Sequence, residues 1–68
     1  MKMTDDVVER MAEVAHNEWL AEKRRRGVTS WPNEHGVEQM LPYSELGEDV
    51  REFDRVVVRA IATVLADE

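Results

Sequence analysis

Cysteine is absent, so neither a disulfide nor a thiolate-bound zinc ion can stabilise this chain, and helix packing or self-association has to do so instead. Long apolar runs are missing as well. Nothing approaches the roughly 18 residues that a membrane span requires, and Met1 to Asp6 is not followed by the apolar core of a signal peptide. The expectation is a cytoplasmic protein with no membrane insertion. Positive charge is scarce beyond residue 26: Met1 to Arg26 carries six basic and six acidic side chains, whereas Gly27 to Glu68 carries three basic and nine acidic. With a net charge of −6, the one basic cluster, Lys23-Arg24-Arg25-Arg26, is too small a footprint for duplex nucleic acid, which normally needs many phosphate contacts. It reads either as a solvated helix end complementing the negative pole of the macrodipole or as a local phosphate contact.

What is present suits one helical domain. Sixty-eight residues, 43% hydrophobic and 35% charged, allow one modest core, because so short a chain buries only about 60% of its unfolded surface. Thr4-Asp5-Asp6 offers acceptors for the free amides of a helix start, and Glu9 stands three residues after Asp6 as in a capping box. Val7, Met11, Ala15 and Trp19 then recur every four residues, flanked by Val8, Ala12, Val14 and Leu20, until Gly27 supplies a left-handed C-terminal stop. The spacing predicts a helix over about 5–25. Residues 28–41 contain Trp31-Pro32-Asn33 and His35-Gly36 and read as a loop. Trp31 either tucks beneath that loop as a satellite core or forms one wall of a ligand site. Pro42-Tyr43-Ser44-Glu45-Leu46 reads as a tight helical turn with Ser44 as a local cap, ended by Gly47. Val50, Phe53, Val57, Ala60, Ile61 and Val64, at three-and-four spacing, predict a last helix over about 48–66. The fold class is all-α: two long helices plus a short helical turn, joined by an irregular Trp- and Pro-containing connection.

Machinery for catalysis is thin. Only His16 and His35 titrate near neutrality. No H-E-x-x-H pair, Gly-rich phosphate loop, EF-hand loop or nucleophile elbow occurs, so no enzyme activity, metal or cofactor is expected. The constellation that could bind something is aromatic and basic. His16, Trp19 and Lys23 share a helix face through separations of three and four, and Trp31, Pro42 and Tyr43 could join them. Aromatic faces stack on purines while Lys or Arg meets phosphates. The alternative is structural, with Trp19 in the core, His16 donating to a loop carbonyl, and the Tyr43 ring packed with its hydroxyl in water.

The pattern His16-x-x-Trp19, Gly27, Leu41-Pro42-Tyr43-Ser44-Glu45-Leu46, then Asp54-Arg55-x-Val57-Val58 resembles the RyR domain, named for its repeats in ryanodine receptors and present in microbial and phage proteins. The resemblance covers about residues 7–66 and implies two long helices, a short helical turn and an irregular connection. It also implies a nucleotide-responsive sensor module without enzyme activity. The family has Gly-Trp after its first helix and a longer loop, whereas Gly27 here is followed by Val28, which makes Trp31 the candidate stand-in. Arg55, between Arg51 and Arg59, either belongs to a solvated basic strip or folds back onto Pro42-Tyr43 and adds positive charge beside Trp19.

The expected function is binding of a nucleotide-like small molecule at His16, Trp19, Lys23, Trp31, Pro42, Tyr43 and Arg55. The alternative is a structural or interaction module acting as a homodimer or docking on a larger partner, for which four methionines supply adaptable contacts.

Overall fold

Thr4 starts the first helix. In a computed structural model that describes residues 3–67, its Oγ1 accepts from the Val7 amide at 3.2 Å, and Asp5 and Asp6 fill the first turn beside the positive pole. Glu9 does not complete a capping box; its carboxylate is taken by Arg55 at 2.6 Å. Helix α1 runs Asp5–Arg25 and ends as its glycine implies. Gly27 is left-handed (φ +78°), which lets the Val28 amide reach back to the Lys23 carbonyl at 3.0 Å. A 3-10 turn, Tyr43–Glu45, precedes helix α2, Glu48–Ala66. Pro42 stands at the entrance of the turn, but Ser44 caps nothing; the Tyr43 amide donates instead to Asn17 Oδ1 on α1 at 3.3 Å.

Residues 28–41 are more organised than their composition suggests. Pro32 and Glu38 form an isolated antiparallel bridge, the Gln39 amide donates to the Trp31 carbonyl at 3.0 Å, and the Asn33 amide to Val37 at 2.9 Å. Asn33 Oδ1 accepts from the His35 and Val37 amides, and Gly36 takes the left-handed turn position (φ +78°). The connection is a miniature hairpin. No regular strand occurs among the described residues, and the architecture is all-α.

The two helices pack antiparallel: the start of α1 at Asp5 and Val8 lies beside Ala62 and Ala66 at the end of α2, and His16 and Trp19 lie beside Val50 and Phe53 near its start. Val8 and Ala12 of α1, Val58 of α2, and Tyr43 and Leu46 from the turn form the core, with Met3, Met11, Leu41 and Val50 packed around it. The α1 stripe that the spacing suggests is buried along one edge, at Val8, Ala12 and Leu20, while the inward face of α2 departs from its stripe. On α1 the buried line is Val8, Ala12, His16 and Leu20. It lies one residue, or about 100°, from the line through Ala15, because Leu41, Tyr43 and Leu46 press on that side. On α2 the correction is larger. Phe53, Val57, Ala60, Ile61 and Val64 are exposed, while Asp54 and Arg55 turn inward to His16 and Glu9.

No helix among the described residues is long and apolar enough to cross a membrane. Leu46 joins the turn to both helices, so Leu46→Ala should lower stability by about 2–4 kcal/mol in urea unfolding; a loss below about 1 kcal/mol would remove it from the core.

Candidate ligand-binding cleft

His16 is the one buried polar residue among those described. Its Nε2–H donates to the Leu41 carbonyl at 2.7 Å, a direction fixed because a carbonyl can only accept. This is the structural role the sequence left open. The bond ties the middle of α1 to the residue before Pro42 and sets the depth of the 3-10 turn. With Nε2 committed, Nδ1 faces Asp54 Oδ2 at 3.9 Å. At that separation the two atoms make no hydrogen bond. Burial pushes the Asp54 carboxyl up, and His16 opposes that shift. Asp54 Oδ2 is itself buried without a hydrogen-bond partner.

Beside this pair the aromatics form a row. The Trp19 ring lies 5.4 Å from His16, Tyr43 lies 6.3 Å away on another side of the imidazole, and Trp31 meets Trp19 edge-on at 6.4 Å. Lys23 places Nζ 4.0 Å from the Trp31 ring centre, a cation–π contact. His16 and Trp19 from α1, Trp31 and Gln39 from the hairpin, and Val50, Phe53, Asp54 and Val57 from α2 enclose an open cleft of about 390 Å³. That volume suits a small planar molecule.

Glu38 holds Trp31 in this arrangement. Its carboxylate accepts from the Ser30 hydroxyl, the Trp31 amide at 2.6 Å, the Met40 amide at 3.0 Å and the Gln39 amide at 3.1 Å. These donors, led by Ser30, lower the Glu38 carboxyl from 4.5 to about 2. Sequence reasoning missed this residue, although an acid eight positions after Ser30 in a hairpin-length segment was the available signal.

The seven residues singled out in the sequence do not all converge. His16, Trp19 and Trp31 line the cleft and Lys23 sits at its Trp31 edge. Pro42 is exposed at the turn entrance. Tyr43 contributes its ring behind His16, but its hydroxyl belongs to the opposite side, where burial and the Glu9 carboxylate push the phenol up. Arg55 is absent from the cleft. Its guanidinium, 17% exposed, is bound by Glu9 at 2.6 Å and by Glu48 at 2.6 Å, so its charge is already spent on cross-linking the helices. Arg51 and Arg59 are likewise paired, with Glu48 and Glu52. In their place the structure brings Asp54, Gln39, Phe53 and Val57 to the cleft. No family model, curated protein or solved structure matches the chain.

Two outcomes follow from this geometry. The Glu38 contacts contribute stability above the carboxyl's unfolded value near 4.5 and lose it as pH falls through about 2. Acidification across that window should therefore detach Trp31, seen as a change in its indole signal, and Glu38→Gln should abolish the step. His16→Ala strands the Leu41 carbonyl and empties buried volume, and should cost about 2–4 kcal/mol; chemical denaturation showing no loss would refute the tie.

Proposed function

We propose that the chain is a non-catalytic binding module whose cleft takes a planar, nucleotide-like ligand, with an amino-bearing purine as the best fit. The observation that carries this reading is Asp54 Oδ2, buried without a partner in the wall of an aromatic cleft. An unsatisfied buried acceptor costs stability that a ligand N–H would restore, and an exocyclic amine on a stacked base is such a donor. Trp19 and Trp31 offer ring faces and edges to the base, Gln39 offers an amide, and Lys23 at the rim offers a charge for phosphate. His16 acts as a positioning residue, since its Nε2–H is already engaged by Leu41. The resemblance of the Pro42-Tyr43 and Asp54-Arg55 elements to the RyR domain agrees with this reading. A structural or interaction role is the second reading, favoured by the uncovered apolar face of α2.

Titration with AMP and ADP-ribose, followed by tryptophan fluorescence and amide shifts, tests the proposal. A saturable response centred on Trp19, Trp31 and Asp54 is expected. Trp19→Ala should weaken binding by about 1–3 kcal/mol, and purine riboside, which lacks the amine, should bind more weakly than adenosine. Absence of any saturable response at these residues would overturn the proposal.

A further inference from the structure

The outer face of α2 is the least expected feature of the molecule. Phe53 is 67% exposed, Ile61 54% and Val64 62%, and Val57 lies between them. On the same side, Met11, Val14 and Ala15 of α1 and Val58 and Ile61 of α2 line an apolar groove between the helices, with Arg10 at its edge. Groove and stripe form one surface. It carries little charge, because Asp54 and Arg55 face His16 and Glu9, and Arg59 at the margin is paired with Glu52 at 3.2 Å.

Size gives the surface a measure. A compact folded monomer of 7.9 kDa exposes about 4,400 Å², whereas this chain exposes 5095 Å². The excess of roughly 700 Å² is close to the ~800 Å² that each partner contributes to a standard interface. The radius of gyration points the same way: 13.2 Å is observed, against about 11 Å for a compact domain of this length. Both figures describe a molecule more extended than a compact domain of its length.

We propose that a second copy of this chain covers this face, so that two antiparallel helix pairs close into a four-helix bundle. The stripe is its own complement under a two-fold axis. With the two α2 helices antiparallel and centred between Val57 and Ala60, Phe53 lies opposite Val64 of the partner subunit, and Val57 lies opposite Ala60 of the partner subunit. The small Ala60 at the centre permits close approach of the two backbones. An isologous pairing of this kind uses a single patch twice and closes without leaving a further sticky surface. Docked helix pairs with short connections are the ordinary way in which two amphipathic helices bury their second face. Phe53 and Val57 also border the aromatic cleft, so the second copy becomes part of its wall.

Sedimentation velocity of the full chain across a micromolar concentration series, without ligand, tests the proposal independently of the purine reading. The expected result is reversible association from 7.9 kDa to twice that mass. Ile61→Glu and Val64→Glu lie outside the cleft and are exposed, so both variants should keep their helical circular dichroism. Each should weaken association at least about tenfold, because a charge would be buried without a partner. Val37→Glu, an equally exposed apolar site on the hairpin, should leave association unchanged. A monomer at every concentration would overturn the proposal, as would association that survives both α2 variants or that is lost only in Val37→Glu.

Discussion

The bond from His16 Nε2–H to the Leu41 carbonyl is the constraint on which the other features rest. A histidine at the centre of a helix's buried face needs a partner for its donor, and the Leu41 carbonyl, in irregular backbone, needs a donor that no helix or sheet supplies. Each solves the other's problem. Once the bond forms, Tyr43 and Leu46 fall onto Val8, Ala12 and Val58, and the 3-10 turn becomes the wedge between the helices. The same commitment turns Nδ1 toward α2, which draws Asp54 inward and leaves one of its oxygens buried without a partner.

A consequence runs along α2. Turning Asp54 and Arg55 toward α1 places the paired charges in the joint and rotates the apolar stripe outward. Arg55 between Glu9 and Glu48 is a half-buried cross-link of the kind that is costly to break and modest in net stabilisation. It specifies which way α2 faces more than it adds to stability. The small core and the bare outer face are thus one fact seen from two sides: an arrangement that turns the paired charges of α2 inward leaves apolar surface for something else to cover.

The hairpin shows the same economy on a smaller scale. A carboxylate, Glu38, stands in for the ladder hydrogen bonds that a longer strand pair would make, collecting three amides and a hydroxyl. It fixes Trp31 near Trp19 and Lys23. The cleft therefore depends on polar bracing from beneath rather than on apolar packing, which suits a wall that must stay open to solvent.

The sequence by itself determined the elements. Helix limits near 5–25 and 48–66, the Gly27 stop and the tight turn at Tyr43 are local matters of capping, periodicity and backbone freedom, and local residues suffice to read them. The association of His16, Trp19 and Trp31 was also legible, from helical spacing and from the aromatic isolated in a loop. Which face of each helix is buried was not, because periodicity locates a stripe without saying what packs against it. Only the tertiary structure decided that Asp54 belongs to the cleft and Arg55 to the joint, although the two are adjacent in the chain. Neighbours on a helix point about 100° apart, and the partner that each one finds comes from the other helix. The direction of those two side chains is set by His16 and Glu9, which lie 38 and 46 residues away along the chain.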